Sequence, residues 1–155
     1  MTGVIGASRN TDTGLSPGRR IVGGMSNDTT TPTPDARPNP VTWFEIHTAN
    51  PERAKKFYGA VFGWSFDDAA PGYTGIGLGE GAPIGGGIAD SKGEYPDHAL
   101  FMVQVPDVAA ALVAVKEHGG SMIADVQKTD FGLTFGYAAN PDGSVFGLWC
   151  PPDAP

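Results

Sequence analysis

Two stretches of this chain follow one pattern, 57 positions apart. Val41-Thr-Trp-Phe-Glu-Ile-His47 is rich in β-prone residues, and Asn50-Pro51 then signals a helix start, with Asn as cap and Pro at the first helical position. Ala54, Phe57, Tyr58, Val61 and Phe62 recur at helical spacing, and Gly63 ends the run. Leu100-Phe-Met-Val-Gln-Val105 repeats the strand, Asp107 the cap, Ala111, Leu112 and Val115 the apolar face, and Gly119-Gly120 the stop. Asn50 and Asp107 lie 57 positions apart, and so do Gly63 and Gly120. A chain built this way folds as two similar units.

Three short strand-like runs follow each helix. They are Trp64–Phe66, Tyr73–Leu78 and Pro83–Ala89 in the first copy, then Ser121–Val126, Leu133–Ala138 and Ser144–Cys150 in the second. Turn signals separate them, most clearly Asn140-Pro141-Asp142-Gly143. The pattern reads βαβββ twice, over about 41–90 and 97–150. One copy alone cannot cover both a sheet face and a helix stripe, so the two share a core, either within the chain or across a dimer. The expected class is α+β, with tandem βαβββ modules forming a curved mixed sheet around a cavity.

The duplicated region occupies 41–155, and the residues before it are of another kind. Residues 1–40 hold 24 Gly, Pro, Ser, Thr and Asn and none of the 15 aromatics, too little apolar surface to offset the entropy of ordering. A disordered tail is the expectation. Arg19-Arg20 precedes only Ile21-Val22-Gly23-Gly24-Met25, too short and glycine-rich for an export signal, and Met25 offers an alternative translation start to Met1. Residues 41–155 carry 14 Asp and Glu against six Lys and Arg, a formal charge of −8. An acidic domain does not suit nucleic acid, which needs a basic surface. No apolar run approaches the roughly 20 residues of a membrane span, and a single cysteine calls for no oxidising compartment. A cytoplasmic protein is expected.

Several segments resemble the vicinal oxygen chelate superfamily, which includes glyoxalase I, extradiol dioxygenases and the fosfomycin and bleomycin resistance proteins. They are Trp43-Phe-Glu-Ile, Asn50-Pro-Glu-Arg-Ala54, Phe57-Tyr58, Val61-Phe-Gly-Trp64, Val105-Pro-Asp-Val108, His118-Gly-Gly120 and Asn140-Pro-Asp-Gly-Ser-Val-Phe-Gly-Leu-Trp149. The resemblance covers about residues 41–152 and is strongest to the small glyoxalase-like proteins. It implies the glyoxalase/bleomycin resistance/dioxygenase fold, a small-molecule ligand in the cavity between modules, and a homodimer.

Enzymes of that superfamily usually hold a divalent metal on the first and last strands of each module. Transferred by the motif positions, the first-strand ligands fall on Trp43 and Leu100, and the last-strand ligands on Gly147 and the neighbourhood of Gly87. None can ligate an ion, and a transition-metal site needs at least three converging donors. No metal or other cofactor is therefore expected. Strand alternation places Trp43, Glu45 and His47 on one face, and His98, Leu100, Met102 and Gln104 on the equivalent face of the second copy. Glu45, His47 and His98 become candidate catalytic residues, and Trp43, Met102, Gln104 and Trp149 candidate ligand contacts. The sharper alternative is a two-His-one-carboxylate metal site from the same groups.

Each candidate has a plainer reading. His47 stands near a strand end and could be a rim residue; His98 follows Tyr95-Pro96-Asp97 and could be a surface group; His118 ends a helix, where it meets the carbonyls. Glu45 resists such a reading, because an inward carboxylate between Phe44 and Ile46 is costly unless hydrogen-bonded. The glycines from Gly75 to Gly81 do not make a phosphate cradle, for the run has no lysine and no helix follows. Gly85-Gly86-Gly87 instead leaves room in the cavity wall. Phe57, Tyr58 and Phe62 are expected in the core, and Cys150 is structural. Two functions are consistent with this set. The favoured one is metal-independent isomerase or lyase proton transfer through Glu45, distinct from glyoxalase I chemistry. The other is sequestration of a planar or cationic compound, as bleomycin resistance proteins do.

Overall fold

The computed structural model describes residues 38–152. The expected tail, apart from residues 38–40, lies outside the described residues, as do both candidate translation starts. The first module comprises β1 (Val41–Thr48), α1 (Pro51–Phe62), β2 (Ser65–Ala70), β3 (Tyr73–Gly77) and β4 (Gly85–Asp90). The second comprises β5 (His98–Gln104), α2 (Val108–Glu117), β6 (Ser121–Lys128), β7 (Thr134–Ala139) and β8 (Val145–Cys150).

Local chemistry sets the helix ends. The Asn50 side chain accepts from the Arg53 amide at 3.0 Å, Pro51 opens α1, and Gly63 closes it with φ +70°. Asp107 caps α2 through the Ala110 amide at 3.0 Å. His118 caps its other end, its amide donating to the Ala114 carbonyl.

The strands form one eight-stranded mixed sheet in the order β2-β3-β4-β1-β5-β8-β7-β6. In each module the first strand pairs parallel with the last, β1 with β4 and β5 with β8. The modules join where β1 and β5 run antiparallel, with Trp43 opposite Met102, Glu45 opposite Leu100 and His47 opposite His98. The repeat is thus joined within the chain. Two apolar clusters lie beneath the helices: Ile46, Ile76 and Ile88 with α1, and Val105, Val108, Leu112, Ala138 and Leu148 with α2.

One expectation fails. Of the α1 stripe only Ala54 and Tyr58 pack against the core; Phe57 and Phe62 are each 58% exposed and Val61 55%. The cause is angular. Residues four apart, such as Ala54 and Tyr58, share the sheet-facing line, whereas Phe57 and Val61 are rotated off it. Phe62 sits in the last turn, stacked on Tyr58 and tilted against Trp64, with its outer surface in solvent.

The glycine run leaves room as read from the sequence, but aromatic rings fill it, and Gly86 faces Phe44 of the α1 cluster instead of the cavity. A Cβ on Gly85 would fall 2.1 Å from the Trp43 ring, one on Gly86 2.4 Å from Phe44, and one on Gly87 2.1 Å from the Tyr73 hydroxyl. Bare backbone on β4 gives three aromatic rings their places.

Candidate functional site

Alternation along β1 aims Trp43 and Glu45 at one side of the sheet, where they meet side chains from both modules. A cavity of about 440 Å³ opens there. Its walls are Trp43, Met102, Phe135 and Trp149 from the strands, with Ala69, Ala70, Thr129, Phe131 and Leu133 from the tips of the β2–β3 and β6–β7 hairpins. Glu45, Tyr73 and Tyr137 supply most of its polar character.

Glu45 is only 5% exposed, so its carboxylate must be satisfied by the protein. The Tyr137 hydroxyl donates to Oε2 at 2.6 Å and the Tyr73 hydroxyl to Oε1 at 3.2 Å. His47 Nε2 lies 2.8 Å from Oε2, and its Nδ1 lies 2.8 Å from the Tyr95 hydroxyl. In a neutral imidazole the carboxylate fixes the ring proton on Nε2, and Tyr95 then donates to Nδ1. Trp43 Nε1 donates to the Tyr73 hydroxyl at 2.8 Å, which leaves that hydroxyl's own proton for Glu45. No buried side-chain polar atom among the described residues lacks a partner.

The tyrosine donors to Glu45 are neutral groups. Burial, and after it the Glu45 carboxylate, push Tyr73 and Tyr137 far above the ordinary tyrosine range, so both hydroxyls keep their protons. Tyr95 is raised for the same reasons, burial first.

The sequence candidates separate into three groups. Trp43, Glu45, Met102 and Trp149 line the cavity. His47 is buried behind Glu45, edge-on to Tyr137 at 5.5 Å. His98 does not line the cavity: it stacks on the far side of His47 at 4.8 Å and bonds the Pro96 carbonyl through Nδ1 at 2.8 Å. Gln104 lies in a neighbouring recess shared with Trp43 and Trp149. The tyrosines were missed. Their signal was present, since Leu133, Phe135 and Tyr137 alternate on β7 and Tyr73 opens β3, but contact with Glu45 bridges 28 and 92 residues of chain.

A metal at the family's positions does not fit these residues. Trp43 and Leu100 bring no donor atom, and the last-strand positions have no room for one. A Cβ on Gly87 would meet Tyr73, and one on Gly147 would lie 2.8 Å from Met102. The two-His-one-carboxylate alternative does not assemble either. Both His47 nitrogens are occupied, His98 faces elsewhere, and no cluster of three His, Cys, Asp or Glu able to hold an ion occurs among the described residues.

Comparison with known proteins agrees with the fold. Residues 41–79 match the family described as bleomycin resistance protein-like N-terminal. A glyoxylase-like domain-containing protein of Didymella fabae is 31% identical over 93 residues, 56% of this chain and 73% of that protein. CFP32 of Mycobacterium bovis, whose name provisionally places it among the glyoxylases, is 28% identical over 116 residues. That match covers 69% of this chain but 44% of CFP32, so the chain spans less than half the length of that relative. Methylmalonyl-CoA epimerase of Streptomyces coelicolor, solved with 2-nitronate-propionyl-CoA, superposes with a TM-score of 0.50 at 13% identity, covering 76% of this chain and 99% of the epimerase. The joined βαβββ modules, their motifs and these relatives make the chain a member of the vicinal oxygen chelate superfamily, of its glyoxalase-like and bleomycin resistance-like kind.

Proposed function

We propose that the chain catalyses proton transfer on a small carbonyl compound held in the cavity, with Glu45 as the base and no metal in the reaction. The observation that carries the reading is a buried carboxylate on the cavity wall, held by two tyrosine hydroxyls and an imidazole. Glu45 takes a proton from the carbon beside the carbonyl, and the released electron pair moves onto the carbonyl oxygen. Tyr73 or Tyr137, each keeping its proton, turns its hydroxyl to the new oxyanion. Returning the proton from Glu45 to a different carbon of a conjugated enolate completes an isomerisation, and return of a solvent-exchanged hydrogen to the same carbon gives exchange. His47 positions the carboxylate from behind. A positioned acid–base group of this type contributes about 10²–10⁴-fold.

The test is hydrogen–deuterium exchange at the carbon next to the carbonyl of 1-phenyl-2-propanone, followed by NMR in D₂O. The native protein accelerates exchange, and Glu45→Gln lowers it about 100-fold or more with unchanged circular dichroism. Equal exchange by the two proteins refutes the assignment. The aromatic walls favour a second reading, sequestration of a planar compound without turnover. A bound compound recovered chemically unchanged, from a protein that exchanges nothing, would select it.

A further inference from the structure

The cavity walls hold one carboxylate and, among the described residues, no basic side chain. Among the described residues that line it, Glu45 is the one carboxylate, and none is a lysine, arginine or histidine. Its oxygens are bonded to the Tyr73 and Tyr137 hydroxyls and to His47, which lies behind the carboxylate and does not line the cavity. The adjoining recess has Gln104 as its most polar side chain and, among the described residues, no charged residue in its lining.

The rim adds to this field. Asp67 pairs with Gly75 beside Ala69-Ala70, and Asp130 lies between Thr129 and Phe131, whereas Asp68 turns to Lys55 and Thr74 on the helix side of the sheet. Lys55 is already paired with Glu52 at 2.9 Å and Asp68 at 3.2 Å, which leaves Lys128, next to Thr129, as the local counterweight. Residues 41–155 carry 14 acidic against six basic side chains. An anion drawn into the cavity would lose its water beside Glu45 and find no positive partner. An uncharged planar ring, by contrast, meets Trp43, Phe135 and Trp149 and brings no charge to be desolvated.

We infer that this cavity selects uncharged aromatic carbonyl compounds and rejects anions, so that carriers bearing carboxylate or phosphate groups, coenzyme A thioesters among them, are not its substrates. The inference rests on the cavity being the working site but not on turnover. It sets the chain apart in ligand class from the epimerase whose fold it shares.

Naphthalene-1-acetamide and naphthalene-1-acetate, nearly equal in shape and unlike in charge, provide the test by isothermal titration. The native protein binds the acetate about 100-fold more weakly than the amide, equivalent to about 2.7 kcal/mol at about 1.4 kcal/mol per decade. Glu45→Gln narrows the gap to within about fivefold by removing the charge. Phe131→Lys, at a position 66% exposed and therefore tolerant of change, narrows it from the rim while Glu45 stays in place. Equal or tighter binding of the acetate by the native protein overturns the inference, as does an amide that fails to saturate at millimolar concentration. Discrimination without ketone exchange retains the ligand class and removes the enzyme; exchange without discrimination does the reverse.

Discussion

Gly87→Ala places one methyl group where the site has no space for it. The added Cβ would lie 2.1 Å from the Tyr73 hydroxyl oxygen and 2.4 Å from the ring carbon that bears it. A side-chain tip normally yields cheaply, but this one is tied to Trp43 at 2.8 Å and Glu45 at 3.2 Å. Overpacking of this sort costs about 1–3 kcal/mol. Dislodging the hydroxyl adds about 1–3 kcal/mol for a buried carboxylate left short of a donor. A total of about 2–4 kcal/mol is expected, because movement that relieves the first cost incurs the second. Urea denaturation followed by tryptophan fluorescence measures it. In a Tyr73→Ala background the ring is gone, and the same substitution should cost under about 1 kcal/mol, giving a coupling of about 1–3 kcal/mol. Gly75→Ala serves as control, since its Cβ would meet nothing closer than the Asp67 carbonyl at 3.6 Å. Equal costs for Gly87→Ala in both backgrounds would refute the claim that bare backbone at this position exists to seat Tyr73.

Stability should fall at alkaline pH. Tyr73 and Tyr137 ionise near pH 10 in the unfolded chain and far above it when folded, so between those values the unfolded state holds fewer protons and each tyrosine removes up to about 1.4 kcal/mol per pH unit. Tyr73→Phe and Tyr137→Phe should each flatten that decline in denaturation curves measured from pH 9 to 11; an unchanged slope would show that these hydroxyls titrate freely. The two helices should respond oppositely to substitution of their apolar residues. Val61→Lys, at a position 55% exposed, changes stability by no more than about 0.5 kcal/mol, whereas Leu112→Ala, 3% exposed, costs about 2–5 kcal/mol; a large loss at Val61 would mean that this face of α1 is covered.

Most of the fold was legible because its signals are local. Caps at Asn50 and Asp107, stops at Gly63 and Gly119-Gly120, and period-two runs between turns placed both helices and every strand, with β2 extending further through Asp67-Asp68-Ala69-Ala70 than its apolar residues suggested. Helical spacing grouped the apolar side chains of α1 but could not say which edge of a wide stripe faces the sheet, and Phe57 fell on the outer edge while Phe62 lies in the exposed last turn. Glu45 could be singled out from burial cost alone. Its partners could not, because Tyr73 and Tyr137 reach it only once β3 and β7 have been brought around from opposite ends of the sheet. His98 illustrates the converse. Alternation put it on the equivalent face of the second copy, and the structure pairs it with His47, yet the ring turns to the Pro96 carbonyl instead of the cavity.

Loading with divalent ions tests the central claim most directly. The purified protein would be incubated with Mn²⁺, Ni²⁺ or Zn²⁺, its metal content measured after gel filtration, and crystals examined by anomalous scattering at the absorption edge. The expected result is less than about 0.1 ion per chain and a Glu45 carboxylate bonded to Tyr73, Tyr137 and His47, since fewer than three ligating side chains converge there. An anomalous peak about 2 Å from a Glu45 oxygen, at one ion per chain, would contradict it.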